Sequence, residues 1–105
     1  GRLLIGPRTP VTPEGCAALA ETPVRLSKSG AAIEDGVGAN ALDGPLSALR
    51  HLVELLAADP DAEPLRAGDV ISTGTLTDAQ PVAAGEVWRA EFGAPLGAIE
   101  LTLTA

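Results

Sequence analysis

Methionine and tyrosine are absent from this 105-residue chain, and the aromatics that do occur, Trp88 and Phe92, amount to 2% of it. A core has to be built from Leu, Val, Ile and Ala instead, and such a core is thin enough to lean on a partner. Cysteine occurs once, at Cys16. That excludes an intrachain disulfide and a cysteine-rich metal site, and with no basic neighbour to lower its pKa the thiol reads as inert. Bases are scarce as well: seven Lys and Arg stand against fourteen Asp and Glu, a net charge of −7 with no basic cluster. A phosphate backbone would be repelled, which removes nucleic acid from the expected partners. No apolar run approaches the roughly 18 to 20 residues that a membrane span requires, and no basic-then-apolar leader is visible. The expectation is a soluble, cytoplasmic chain with no membrane partner. Without an initiating methionine, Gly1 reads as a processed end, a tag remnant or an internal point of a longer protein.

What is present fits one domain, in which 46% hydrophobic residues support a single core burying roughly two-thirds of the chain surface. Arg2 to Ile5 is a short apolar run closed by Gly6-Pro7, the pattern of a strand stopping at a turn. Val24 to Ser27 alternates, Lys28-Ser29-Gly30 supplies a turn, and Ala31 to Glu34 returns, which predicts a β-hairpin. Asp43-Gly44-Pro45 opens a helix, because proline at a first helical position gives up an N–H that had no partner anyway. Leu46, Leu49, Leu52, Val53 and Leu56 form its apolar stripe, and Asp59-Pro60 stops it. Val70 to Thr73 reads as a strand, as do Glu86 to Phe92 and Ala98 to Leu103, the last two joined by a turn over Gly93-Ala94-Pro95-Leu96-Gly97. Strands in hairpin-like order around one main amphipathic helix predict an α+β fold, mostly antiparallel.

Several constellations suggest chemistry. Gly36 to Ala41, GVGANA, matches the glycine pattern of a dinucleotide site, but the helix that should open on it begins only at Pro45 and the turn before it is acidic. A flexible loop beside a pocket is the better reading. Asp59, Asp61 and Glu63 alternate like a calcium loop, yet Pro64 and Val70 occupy the places that need glycine and a bidentate glutamate, which leaves a solvated acidic turn. His51 is the one histidine, and with no named serine or carboxylate partner it reads as a partly buried structural residue. The sharpest feature is Thr73-Gly74-Thr75, introduced by Gly68-Asp69. Glycine between hydroxyls lets a ligand approach the backbone, and threonines can donate to a carboxylate or oxyanion. On residue types alone this is either a ligand cradle or a glycine-containing strand end.

The order of marks along the chain decides between them. Gly44-Pro45-Leu46-Ser47-Ala48-Leu49, then Pro64-Leu65-Arg66-Ala67-Gly68-Asp69-Val70, then Thr73-Gly74-Thr75-Leu76-Thr77, then Pro81-Val82-Ala83-Ala84-Gly85-Glu86 resembles the C-terminal part of the 2-keto-4-pentenoate hydratase and 4-oxalocrotonate decarboxylase branch of the fumarylacetoacetate hydrolase superfamily. Leu4-Ile5-Gly6-Pro7 and Ser27-Lys28-Ser29-Gly30 fall where that branch places a strand end and a hairpin. The resemblance implies a mostly antiparallel β roll around a pocket, and a Mg²⁺- or Mn²⁺-dependent lyase that hydrates 2-keto acids from aromatic catabolism, or decarboxylates them. It implies Thr73, Gly74 and Thr75 as substrate-side residues. The Glu-x-Glu pair of the family's metal site does not occur here, so the resemblance places the metal ligands and catalytic groups before Gly1, and the chain alone is expected to hold no metal and to be inactive. On this reading residues 1–105 are the C-terminal portion of a longer catalytic domain that associates with its N-terminal half. The alternatives are a stand-alone module that binds a small carboxylate and a homo-oligomer formed through open sheet edges.

Overall fold

The computed structural model describes residues 2–94 and 96–105. Its fold grows from one tight turn. Ser29 and Gly30 both take positive φ, 48° and 86°, the two-residue geometry whose twist matches that of paired strands. It joins β1 (Pro23–Lys28) to β2 (Ala31–Val37). The register slips between Leu26 and Ser27, where Leu26 faces Glu34 but Ser27 faces Ala32, so Ile33 is the extra residue of a β-bulge. β3 (Val87–Phe92) pairs with the other edge of β1, and β4 (Ala98–Thr102) pairs with β3. The result is a four-stranded antiparallel sheet in the order β2-β1-β3-β4. Proline is tolerated at the head of the central strand β1 because position one of a strand need not donate to the ladder.

Two helices accompany the sheet, one before β1 and one between β2 and β3 in chain order. Short α1 (Pro13–Ala18) is capped by Thr12, whose Oγ1 accepts from the Gly15 N–H at 2.9 Å. A 3₁₀ turn (Leu19–Glu21) carries it into β1. The main helix α2 (Pro45–Ala58) starts at the expected proline and stops at Asp59. Its entrance is a strained turn in which Leu42 and Asp43 take φ of 50° and 66°, and Gly44, at φ 135°, sits so close to Ala20 that a β-carbon would crowd it. The architecture is the expected α+β, dominated by antiparallel pairing.

The core is small. Among the described residues the buried apolar side chains are Val24, Ala41 and Trp88. The chain exposes 7749 Å², against about 5,400 Å² for a compact monomer of its mass, and its radius of gyration is 15.5 Å, where about 13 Å is usual for this length. Large apolar side chains stay uncovered, on α2 among other places. Val53 and Leu55 of α2 are exposed, and the Leu46–Leu56 stripe is covered only in part.

Several expectations are corrected here. Arg2 to Ile5 is not a strand, and Leu3, Leu4 and Ile5 are exposed. Val70 to Thr73 is not a strand either; the whole stretch 59–86 is irregular apart from turns and bends. In both cases the short apolar run is present but among the described residues no neighbouring strand offers a ladder, and a strand without one gains nothing from extension. His51 is exposed on α2 instead of partly buried. Gly36 to Ala41 is not a loose loop: Gly36 and Val37 finish β2 and Gly38–Asn40 form a 3₁₀ turn. The turn from Gly93 to Gly97 closes with the Phe92 N–H donating to the Gly97 carbonyl at 2.8 Å, while Pro95 within it lies outside the described residues.

Candidate functional site

Alternation makes the sheet two-faced. Cross-strand partners share a face, so Val24 with Phe92, Leu26 with Ala90 and Lys28 with Trp88 line one side, continued by Ile99 and Leu101 of β4. The opposite side carries Arg25, Asp35, Arg89, Glu91 and Glu100. There the Arg25 Nε donates to Asp35 at 2.9 Å. That bond holds the Asp35 carboxyl below its usual range and pushes the Arg25 guanidinium up.

The segment Ile71 to Thr77 runs over the apolar side. With Val24, Leu26, Ala90 and Phe92 as floor and Pro45 of α2 at its margin, it encloses an open cleft of about 430 Å³. Thr73, Gly74 and Thr75, the residues singled out from the sequence, all lie on its wall. Thr73 is half-buried, and Gly74 and Thr75 are exposed. Gly74 takes φ 111° with nothing near its missing side chain, so glycine there serves the backbone bend and leaves open space beside the hydroxyls.

What keeps this wall in place lies at its far end. Asn40 Nδ2 donates to the Leu76 carbonyl at 2.9 Å, and the Asp78 N–H donates to the Glu34 carboxylate at 2.8 Å. Gly36 completes the clamp: a β-carbon there would run into the Leu76 carbonyl. The glycines of GVGANA thus serve close backbone approach, Gly36 to Leu76 and Gly38 to Leu19. Sequence reading misses Asn40, Glu34 and the apolar floor; the signal for the floor is the shared alternation of β1 and β3.

Among the described residues no ionisable side chain lines the cleft. Lys28 lies on the same face, but its Nζ stands 3.6 Å from Glu86 and 5.8 Å from the Trp88 ring centroid. Glu86 is itself the centre of a small knot. Its carboxylate accepts from the Ala83 N–H at 2.9 Å and the Trp88 indole N–H at 3.0 Å. Those two donors, with Lys28 adding a smaller attraction, hold its pKa below the usual carboxylate range. Among the described residues no three His, Cys, Asp or Glu side chains gather as a potential metal-binding group. The side chains present therefore do not fit a Mg²⁺ or Mn²⁺ centre. No helix among the described residues is long and apolar enough to cross a membrane.

No protein-family model matches the chain. The TodF product hydratase of Pseudomonas putida is 35% identical over 74 residues, which make up 70% of this chain and 26% of that protein. The fold is similar to that of 4-oxalocrotonate decarboxylase from Pseudomonas putida G7 complexed with calcium and acetate, at a TM-score of 0.70 and 35% identity, covering 81% of this chain and 32% of that one. The decarboxylase complexed with magnesium and adipate gives the same TM-score and identity over 81% of this chain and 31% of its own. This chain therefore spans between about a quarter and a third of the length of the proteins it matches.

Proposed function

We propose, from the premise that the matched stretch of this chain belongs to the 2-keto-4-pentenoate hydratase and 4-oxalocrotonate decarboxylase branch of the fumarylacetoacetate hydrolase superfamily, that the chain forms the sheet and threonine-loop part of a cytoplasmic lyase of aromatic catabolism. The reaction favoured is addition of water to a 2-hydroxy-dienoate or 2-keto acid, and decarboxylation of a 4-oxalocrotonate-type acid is the alternative within the same branch. The observation that carries the reading is the placement of Thr73, Gly74 and Thr75 on the wall of a cleft floored by the apolar side of the sheet.

These residues bind and orient. Threonine hydroxyls can donate to a carboxylate or carbonyl oxygen, the backbone at Gly74 leaves room for close approach, and the floor excludes water from the carbon chain. General acid–base chemistry needs a titratable group within reach of the reacting atoms, and among the described residues no such side chain lines the cleft. Mg²⁺ or Mn²⁺, the cofactor proposed for the assembled enzyme, has no fitting donor set among the described residues. A metal and an acid–base pair would have to come with another segment or chain. The same lack of titratable lining favours one further reading, a non-catalytic module that binds small carboxylates.

Calorimetry of the full chain with pyruvate and with oxalate, each with and without Mg²⁺, tests the site. Metal-independent binding is expected, weakened about tenfold or more by the double substitution Thr73→Ala and Thr75→Ala, since two hydrogen bonds contribute about 1 kcal/mol each. Equal binding by the parent chain and the double variant would contradict the assignment. Loss of the ultraviolet absorbance of a dienoate in the presence of the chain alone would contradict the division of labour and remove the module reading.

A further inference from the structure

None of the residues of α2 is buried. Its entrance rests on the 3₁₀ turn Leu19–Glu21, with Gly44 against Ala20. A helix of this length is marginal in water unless an apolar face is covered. The face is there: Leu46, Leu49, Val53 and Leu56 recur at intervals of three, four and three residues, the spacing of a coiled-coil seam. Leu46 and Val53 are 43% and 48% exposed. Leu52 widens the seam on one flank, and on the other the Arg50 guanidinium is neutralised within the helix by Glu54, at 2.9 Å. The second half of the seam also borders a groove of about 510 Å³, with Val53, Leu56 and Ala57 on one side, Ala62, Pro64 and Leu65 on the other, and Asp59 also lining it. Exposed leucines and a groove to receive them thus lie on one helix.

We infer that α2 is the interface of a two-fold symmetric dimer of this chain, in which two α2 helices pack antiparallel through Leu46, Leu49, Val53 and Leu56. The seam is complementary to itself. With the two copies of His51 level, Leu46 of each meets Leu56 of the other and Leu49 meets Val53, so the first turns of one helix enter the groove beside the last turns of its mate. A two-fold interface requires this self-matching. Antiparallel order also separates the two sheets, because each helix is tied to its own domain at Gly44 and Ala20; a parallel pair would crowd both domains at one end. Surface is available for it: 7749 Å² is exposed, against about 5,400 Å² for a compact monomer, and a standard association takes about 800 Å² from each partner. Charge opposes the pairing, since this register brings Asp43 of one copy near Asp59 of the other and each copy carries a net −7. The dimer is therefore held by apolar contact and strengthens as salt screens that repulsion. It does not depend on the threonine cleft.

Sedimentation of the full chain tests this. In about 0.5 M NaCl the mass should rise from 10.5 kDa toward twice that value as the chain is concentrated from about 1 μM to about 1 mM, and the association should weaken at about 10 mM salt. Val53→Glu sets a charge in the seam and should raise the dimer Kd by about thirtyfold or more. Leu55→Glu changes a side chain that is 69% exposed but lies off the seam, and should leave Kd within about twofold. Asp59→Lys places opposite charges at both ends of the antiparallel pair and should tighten it about fivefold at low salt, more than Glu91→Lys, the same change of net charge on the charged face of the sheet. Trp88 fluorescence checks that the sheet of each variant is intact. A chain that stays monomeric at about 1 mM in high salt, or equal loss from Leu55→Glu and Val53→Glu, would overturn the α2 interface. No greater tightening by Asp59→Lys than by Glu91→Lys would overturn the antiparallel register, and association weakened by salt would overturn the apolar seam as its cause. Should Val53→Glu fail to fold, the unmodified chain and the two lysine variants still decide.

Discussion

Val24 on β1 and Val70 before the threonine loop are the same residue in the same kind of short apolar run, yet Val24 is 5% exposed and Val70 is 62% exposed. The difference is what stands next to each in space. β1 has β2 on one side and β3 on the other, so its backbone groups are paired and its apolar side faces the threonine segment. The run at Val70 has no ladder, and neither has Arg2 to Ile5. Extended structure is therefore realised only where this chain supplies its own neighbour. The uncovered runs and the open stripe of α2 are part of the surface beyond that of a compact monomer.

The largest expected effect breaks the sheet side of this contrast. Trp88→Ala removes one of the few buried side chains and an indole partner of Glu86. It should cost about 3–5 kcal/mol, enough to abolish cooperative unfolding in a core this small, whereas Val70→Ala should change stability by less than about 0.5 kcal/mol. Thermal and denaturant melts followed by circular dichroism check both. Comparable losses from the two substitutions would mean that the stretch around Val70 is packed after all.

A smaller effect tests the clamp between the two regions. Gly36→Val puts a side chain where the Leu76 carbonyl lies, and overpacking of this kind costs about 1–3 kcal/mol. The β1–β2 hairpin should survive while the threonine wall lifts. Hydrogen exchange should then quicken at Asp78, whose N–H is bonded to Glu34, and stay slow across β1 and β3. Unchanged exchange at Asp78 would show that the wall is held by something other than this approach.

The smallest effect concerns the Glu86 knot. Because its pKa is depressed in the fold, the stability it contributes is present above the ordinary glutamate value of about 4.3 and fades as pH falls through the lower folded value. Trp88 is the one tryptophan, so its fluorescence reports the loosening directly. Glu86→Gln should flatten that acid dependence; an undiminished transition in the variant would assign it to other carboxylates.

How much of this is legible in the sequence follows the same division. The hairpin, α2, β3 and β4 are readable because their signals are local: a Ser-Gly turn, a proline at the first helical position, alternation over five or six residues. The strands expected at Val70–Thr73 and Arg2–Ile5 do not form because a short apolar run records a preference for extension and says nothing of a partner. Asn40 and Glu34 escape a sequence reading because they act across 36 and 44 residues of sequence, a separation that no local pattern encodes. The glycines of GVGANA are visible as a motif, but their purpose depends on which carbonyl approaches them, Leu76 for Gly36 and Leu19 for Gly38. Thr73, Gly74 and Thr75 stand out through residue type and resemblance, and the structure adds the floor beneath them.

The most direct test of that pairing of wall and floor is an amide-shift map of the full chain titrated with pyruvate. Shifts are expected to concentrate at Thr73, Gly74 and Thr75 and at Ala90 and Phe92, with Arg25, Arg89 and Glu100 on the far side of the sheet unmoved. Shifts confined to that far side, or none along the threonine segment at saturating pyruvate, would contradict it.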